Sequence, residues 1–262
     1  GEVAIIKNDS LVVKTIDNIV KTPYIHELEM QLESIEKQGF EHFMLKEIYE
    51  QPRSIYDSFR GRINHSGGTI EMAGINMFEQ KLINLRRLVI VGCGTSWHAG
   101  LVGEYLFESL ARIPVEVEYA SEFRYRDPVI SENDFVIAIS QSGETADTLA
   151  AIELAKHRGA TIFGICNVVG SSIPRATDAG AYTHAGPEIG VASTKAFTAQ
   201  VTALTLMALS IAQKKGTITK DRLQKTLAEM ETIPEKIERV LKTDEAIQYI
   251  AGEFKDARNF LY

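Results

Sequence analysis

Two short apolar runs open the chain, over residues 3–6 and 11–13, with a polar turn at residues 8–10 between them. This pattern predicts a β-hairpin. Because an isolated hairpin is only marginally stable in water, two interpretations stay open. The hairpin is either the last one of a sheet that precedes residue 1, or a small edge hairpin packed on the main domain.

A charged, mixed segment comes next, followed by a helical pattern. Residues 21–40 predict a linker that contains a helix over 24–37. Apolar residues at helical spacing then predict three helices, over 41–50, 52–63 and 74–83. We therefore expect a helical extension on the N-terminal side of the main domain.

From residue 87 onward, apolar runs alternate with helical segments. Runs that are apolar throughout are typical of strands buried on both faces of a parallel sheet. Right-handed crossovers then give an α/β fold, a three-layer α/β/α sandwich with a five-stranded parallel sheet. The predicted strands are 87–91, 115–119, 134–139, 161–166 and 181–184. The predicted helices are 96–111, 145–158, 172–176 and 193–214, with further helices over 219–254 that break near Pro234.

The C-terminal segment has the same order of features as the segment before the first strand. Residues 244–262 and 75–90 both contain a helix, a basic position and an apolar run. This similarity predicts the start of a second copy of the unit, ending before its glycine loop. Coincidence is the alternative, since a helix followed by a strand is common.

The composition limits the partners more than the fold. The 262 residues are 45% hydrophobic, and a net charge of −7 without a basic block argues against nucleic acid as the main partner. The longest apolar stretch, 201–212, is too short to cross a bilayer, and no signal peptide opens the chain. We therefore expect a cytoplasmic protein without a membrane partner.

Cysteine and histidine spacing gives no sign of a metal site. The two cysteines are isolated, and the six histidines lack the spacing of metal ligands. Cys93 lies between glycines, but no histidine or acid in the sequence marks it as a nucleophile. We expect no metal and no cofactor.

The first predicted strand ends in a glycine loop, GCGTSWHAG, over residues 92–100. Ligands of parallel sheets bind at the carboxyl ends of strands, and a following helix start offers N–H groups to an anion. Thr95 and Ser96 add hydroxyls there. A dinucleotide-binding site is the alternative to an anion site here. However, Trp97 occupies the position of the third glycine in the dinucleotide-binding fingerprint. A tight turn with Ser96 as N-cap is the purely structural alternative.

The third predicted strand leads into SQSGETADT, residues 140–148, which has four hydroxyl side chains and Gln141 at a helix start. Such a cluster donates many hydrogen bonds into a small volume, as a phosphate requires. No lysine follows, so the loop is not a nucleotide P-loop. Helix capping explains one hydroxyl but not four. If the first and third strands are neighbours, both loops face one pocket.

A third segment, GPEIGVASTKAFT, spans residues 186–198 and opens the longest predicted helix at Ser193. Two interpretations stay open for it. Ser193 is an N-cap and Lys195 a solvated first-turn cation, or both line the pocket.

The three motifs together, in this order and spacing, resemble the isomerase region of the glutamine–fructose-6-phosphate aminotransferase family, the glucosamine-6-phosphate synthases. The resemblance runs over residues 41–262. An SQSGET loop alone would indicate the wider SIS (sugar isomerase) family, which includes isomerases and regulators that sense sugar phosphates. Trp97 stands where the family usually has tyrosine.

The resemblance implies a domain order. Residues 1–20 would be the end of a glutaminase domain that releases ammonia, and 21–40 a linker. Residues 41–243 would form the first SIS subdomain, and 244–262 would begin a second. In the family, the two subdomains bind fructose 6-phosphate and isomerise the aminated product to glucosamine 6-phosphate, in amino sugar biosynthesis.

The resemblance also assigns roles by position, and it implies no catalytic residue in this sequence. The family's glutaminase cysteine and its isomerase histidine, glutamate and lysine have no counterpart here, so we expect weak sugar-phosphate binding without turnover. A non-catalytic SIS sensor is the alternative, although no helix-turn-helix accompanies the domain. We expect a homodimer, the common symmetric case. The implied ligand contacts are Ser140, Gln141, Ser142 and Thr145 to the phosphate, Thr95 and Ser96 from the other loop, and Val191 and Ser193 to the sugar chain.

Overall fold

The computed structural model describes residues 2–8, 10–22, 36–64 and 66–260. The chain divides into two compact units, Gly1–Glu36 and Lys37–Tyr262. Nearly all of the helix predicted over 24–37 lies outside the described residues, as does the end of the C-terminal apolar run.

The first unit contains an antiparallel three-stranded sheet. Its strands are β1 (Glu2–Lys7), β2 (Ser10–Thr15) and β3 (Val20–Lys21), in that order. The two predicted strands form the expected hairpin, with Lys7 paired to Ser10. The third strand was not predicted. It follows a turn in which Asn18 has a φ of +65°, a conformation that asparagine tolerates better than most residues.

Short helices and a small hairpin precede the main sheet of the second unit. Helices α1 (Phe43–Tyr49) and α2 (Gln51–Phe59) confirm two predicted helices, although α2 ends earlier than expected. Hairpin strands β4 (Ile63–Asn64) and β5 (Thr69–Ile70) come next and were missed. The helix predicted over 74–83 is two short helices, α3 (Ala73–Asn76) and α4 (Glu79–Ile83). The break falls at Phe78, which turns inward and packs edge-on against Phe135.

The main sheet has five parallel strands, as predicted. They are β6 (Leu88–Gly92), β7 (Val115–Tyr119), β8 (Phe135–Ser140), β9 (Thr161–Cys166) and β10 (Ala179–Tyr182), in the order β10-β9-β8-β6-β7. The predicted bounds of β7 and β9 match end to end. Strand β10 starts two residues before the predicted start. The prediction began too late because Gly180 interrupts the apolar run in the sequence. A Cβ there would lie 2.6 Å from the Gly164 carbonyl oxygen of β9.

Helices cover both faces of this sheet. Successive residues of a strand point to opposite faces. Leu88 and Ile90 accordingly join the apolar layer under the helices α5 and α9, whereas Val89 and Val91 face α7. The three-layer α/β/α sandwich is therefore confirmed. The covering helices are α5 (Thr95–Leu106, followed by a π-helical turn, Phe107–Ala111), α6 (Ala120–Phe123), α7 (Ala146–His157), α8 (Ser172–Ala176) and α9 (Lys195–Lys215).

Helix α9 is the central helix of the second unit. It has 21 residues, longer than the apolar stretch seen in the sequence, and it is long and apolar enough to cross a membrane. However, 72% of its most apolar 18-residue window is buried inside the protein. The apolar composition of α9 is thus explained by packing in the core.

Three helices end the described chain: α10 (Lys220–Glu231), α11 (Ile233–Leu241) and α12 (Asp244–Phe254). Pro234 lies in the first turn of α11, where proline is tolerated, and so marks the predicted break. Neither α11 nor α12 has a buried residue, in contrast to α9. Residues 257–260 form neither helix nor strand.

Candidate functional site

The loops after β6 and β8 lie at the same edge of the sheet. Strand β6 pairs with β7 on one side and β8 on the other, and Gly92 at its end is in register with Ile139. The chain therefore reverses its direction of travel across the sheet between these two strands. Such a switch point is where open α/β sheets bind ligands. The sequence left the adjacency of these strands open, and the structure shows it.

Hydroxyl groups shape the loop after β8 from within. The buried Ser140 Oγ accepts a hydrogen bond from the Gly143 N–H at 3.0 Å and lies 3.0 Å from the Thr145 Oγ1. Ser142 Oγ accepts a hydrogen bond from the Glu144 N–H at 3.2 Å. Three of the four hydroxyls thus have a local structural role, although each retains further hydrogen-bonding capacity.

This loop also packs against the start of α8. Gly143 has a φ of +68°, and a Cβ there would lie 1.9 Å from Ser171 Oγ. The Glu144 carboxylate accepts a hydrogen bond from the Ser172 N–H at 2.8 Å. The Ser172 hydroxyl, and then this N–H, lower the pKa of the carboxyl group. Although Glu144 directly precedes the start of α7, its carboxylate binds the N-terminus of the neighbouring helix α8.

The start of α7 offers donors at the sheet edge. The first N–H groups of a helix have no intrahelical acceptor. Thr145 is the N-cap residue, but its side chain does not cap the helix. Gln141 and Ser142 are partly exposed beside it. An oxyanion at this edge would therefore meet backbone N–H groups, one amide and one hydroxyl.

The loop after β6 presents Thr95 and holds Ser96 inward. Thr95 is exposed, whereas Ser96 is buried and its Oγ accepts a hydrogen bond from Gln200 Nε2 at 3.0 Å. The N-cap of α5 is Gly94, with a φ of +55°, so the suggested N-cap role of Ser96 is wrong. Gln200 comes from the middle of α9, and nothing in its sequence surroundings indicates this contact.

The packing of α5 on the sheet explains the incomplete dinucleotide fingerprint. Trp97 stacks on Tyr119 at the end of β7, with ring centroids 4.2 Å apart. Close approach of helix and sheet occurs instead at Gly100. A Cβ there would lie 2.9 Å from Val117 and 3.0 Å from Ile90. The close approach that the third glycine of the fingerprint would allow therefore occurs three residues later, at Gly100.

The start of α9 is occupied by the protein's own carboxylate. Glu188 Oε1 accepts hydrogen bonds from the N–H groups of Thr194 and Ala196 at 2.9 and 3.1 Å, and Oε2 accepts one from Ser193 Oγ at 3.0 Å. The N-cap residue is Thr194 and the helix starts at Lys195. Ser193 is therefore not the N-cap, and this helix terminus already holds an anion.

Lys195 is a buried ion-pair partner. Its side chain is 4% exposed, and its Nζ lies 2.6 Å from Glu50 Oε2. The interpretation of Lys195 as a solvated cation is wrong, because Glu50, between α1 and α2, pairs with it in the interior of the folded protein. In contrast, Val191 is fully exposed.

Asn167, which the sequence did not single out, joins the loop after β8 to the third segment. It follows β9, and its N–H donates to the Gln141 carbonyl at 3.2 Å. Its side-chain Nδ2 donates to the Gly186 carbonyl at 2.7 Å, while Oδ1 accepts from Thr183 Oγ1 and the Ala185 N–H. One asparagine thereby fixes the base of residues 186–198 relative to the SQSGET loop.

The predicted phosphate contacts lie at the edge of the sheet where the strands β6 and β8 end. Three cavities of the second unit, of about 940, 350 and 780 Å³, are lined by none of the predicted ligand contacts. The first two lie between α2 and the helices α9–α12, and the third lies at the opposite sheet edge. Among the described residues, no three metal-ligating side chains cluster together. His65 lies outside them.

A family model, curated relatives and a solved structure all match this chain. The SIS domain family matches residues 81–210. The glutamine–fructose-6-phosphate aminotransferases [isomerizing] of Bacteroides thetaiotaomicron and Chlorobaculum tepidum are 56% and 55% identical over the whole chain, which covers 43% and 42% of their lengths. The solved C-terminal domain of glucosamine-fructose-6-phosphate aminotransferase from Francisella tularensis is 40% identical, with a TM-score of 0.78 over 84% of this chain and 61% of that one. The chain thus spans less than half the length of these curated relatives.

Proposed function

Because the chain belongs to the SIS-domain region of the glutamine–fructose-6-phosphate aminotransferase family, we propose that it binds fructose 6-phosphate and glucosamine 6-phosphate. The phosphate group lies at the edge where β6 and β8 end. The observation that carries this proposal is the adjacency of those two strands, which brings both hydroxyl loops to one switch point.

The residues of the site divide into three groups in this proposal. Gln141, Ser142 and the first N–H groups of α7 donate to the phosphate, with Thr95 on the facing loop. Ser140, Thr145 and Ser96 also belong to the site, but part of their hydrogen-bonding capacity goes to each other or to Gln200. Val191 and Ser193 approach the sugar chain.

We further propose that the chain works within a whole enzyme that converts fructose 6-phosphate and glutamine to glucosamine 6-phosphate and glutamate. Isomerisation needs a general acid–base group near the reacting carbons. The candidate site contains hydroxyl and amide donors, and the nearby glutamates, the buried Glu47 and the half-buried Glu188, are already bound to backbone N–H groups. The isolated chain is therefore expected to bind the sugar phosphate without converting it.

The proposed setting of the protein is the cytoplasm, as a homodimer. The apolar side chains exposed on α12, among them Ile247, Tyr249 and Phe254, support association with another protein surface. Sedimentation velocity of the chain at increasing concentration tests the dimer, and a single monomeric species at high micromolar concentration would contradict it.

Calorimetric titration with fructose 6-phosphate and glucosamine 6-phosphate tests the proposed function. Ser142→Ala should weaken binding about tenfold, because one hydrogen bond to a charged oxygen contributes about 1.5 kcal/mol. The control is Ser109→Ala, an exposed serine whose hydroxyl donates to the Leu106 carbonyl, away from the site. A folded wild-type chain that binds neither ligand contradicts the proposal, and so does equal weakening by both substitutions.

A further inference from the structure

The carboxylate of Glu47 is buried against the loop that carries the proposed sugar contacts. Glu47 lies on α1 and is 2% exposed. Its Oε1 accepts hydrogen bonds from the N–H groups of Ile189 and Gly190 at 2.5 and 3.0 Å, and its Oε2 lies 3.3 Å from the Gly190 nitrogen. These groups are separated by more than 140 residues in the sequence.

A second link joins the same two parts of the fold. Glu50, the residue between α1 and α2, pairs with Lys195 at 2.6 Å and with Lys46 of α1 at 3.6 Å. Both lysine side chains are less than 5% exposed. Burial of such charges adds little net stability, but their defined partners fix the geometry. Glu47 of α1 therefore holds the middle of the loop, and Glu50 after α1 holds the start of α9.

Among the described residues, the other hydrogen bonds of this loop lie away from its tip at Val191. Residues 186–192 form no helix or strand. Glu188 binds the start of its own helix, and Asn167 holds the base of the loop at Gly186. Val191, next to Gly190, is fully exposed. Among the hydrogen bonds of the described residues, those to Glu47 are the ones that hold the backbone beside Val191.

We propose that Glu47 is a positioning residue that sets the place of Val191 and Ser193 against the sugar end of the ligand. This inference rests on the proposed function. Glu47 acts through the loop and touches no ligand atom. It therefore governs recognition of the sugar, while the phosphate is held by the loop after β8, which α1 does not contact in any described hydrogen bond or ion pair.

A substitution at Gly190 would disturb the hydrogen bonds between Glu47 and the loop from the loop side. A Cβ on Gly190 would lie 2.6 Å from Glu47 Oε2, so Gly190→Ala displaces either the carboxylate or the loop. The backbone of Gly190 has no positive φ. Alanine there adds this clash without the conformational strain of a left-handed residue.

The test compares affinities for fructose 6-phosphate and inorganic phosphate, measured by NMR titration of the whole chain. Glu47→Leu and Gly190→Ala should each weaken fructose 6-phosphate binding by about tenfold and change phosphate binding less than about twofold. Glu47→Gln keeps one acceptor oxygen and should recover most of the affinity. Glu41→Leu, an exposed glutamate just before α1, controls for the loss of a negative charge.

The outcomes separate this inference from the proposed function. If the wild type binds both ligands and Glu47→Leu weakens both equally or neither, the inference is wrong while the site stands. A wild-type chain that binds neither ligand overturns the proposed function and the inference together. Should Glu47→Leu fail to fold, Gly190→Ala decides by the same comparison.

Discussion

At the scale of single residues, the direction of a polar side chain matters as much as its type. Ser140 and Thr145 were singled out as phosphate contacts, yet their hydroxyls lie 3.0 Å apart and hold the loop in shape. Short hydroxyl side chains readily bond to nearby backbone groups. The motif predicts a phosphate loop, but the sequence does not tell which of its hydroxyls point outward.

Gly143→Ala should destabilise the protein by about 3 kcal/mol, because it combines left-handed strain with a collision against Ser171. Gly170→Ala is the matched control. Gly170 has a similar φ of +74° but open space around it, so its cost should be about 1 kcal/mol. Urea unfolding measures both values. Equal losses of stability would show that the collision with Ser171 is absorbed by local movement.

Cys166 should resist thiol reagents at pH 8, whereas the half-buried Cys93 should react. Burial, together with the nearby Glu144 charge, raises the pKa of Cys166 to about 12. The folded state therefore keeps this thiol neutral where an unfolded chain would ionise it, and stability should decline as pH rises above about 8.5. Ellman's assay of the native protein measures the reactivity of the two thiols, with Cys93→Ser to assign the signal. Urea unfolding at increasing pH measures the decline in stability. Rapid labelling of Cys166 would contradict its burial.

At the scale of elements, helix starts depend on partners that local pattern does not reveal. Serine before an apolar helix predicts an N-cap, and Ser193 and Ser96 both fit that rule. In the structure α9 is capped by Glu188 from the preceding loop and α5 by Gly94. A charged acceptor that reaches the helix start satisfies its N–H groups more strongly than a hydroxyl. Both helices were predicted from the sequence, but the residues that cap their N-termini were not.

Glu188→Ala should lower the free energy of unfolding by about 1–2 kcal/mol, because two N–H groups at the start of α9 lose their acceptor. The comparison is Glu235→Ala, an exposed first-turn glutamate of α11, which should change stability by less than about 0.5 kcal/mol. Thermal and urea unfolding of both variants test this. Similar small effects would mean that Glu188 is replaced by water.

At the scale of the whole molecule, the order of strands decides where the site lies. The strands and their parallel arrangement followed from apolar runs separated by helices. Their order, β10-β9-β8-β6-β7, places the two hydroxyl loops side by side. Arg87 supports this order from the opposite edge, where it binds Asp134 before β8 and Glu116 of β7. These two carboxylates raise the pKa of Arg87, although partial burial opposes that shift.

Arg87→Ala should destabilise the sheet by about 2 kcal/mol, because it leaves the buried carboxylate of Asp134 without its cationic partner. The neighbouring Arg86 is exposed, so Arg86→Ala should have an effect below about 0.5 kcal/mol. Urea unfolding of the pair, repeated in high salt, gives the measurement. Equal effects of the two substitutions would contradict a role of Arg87 in joining the strands.

Local pattern was sufficient for the first hairpin, the five strands of the main sheet, most helices and the three loop motifs. Each of these depends on burial and on neighbours within a few residues, which leave a periodic signature in the sequence. Contacts between distant residues leave no such signature. The adjacency of β6 and β8, the hold of Glu47 on Gly190 and the link from Gln200 to Ser96 arise when the chain is packed into three layers. Tertiary structure therefore decided which of the predicted polar side chains are free to meet a ligand.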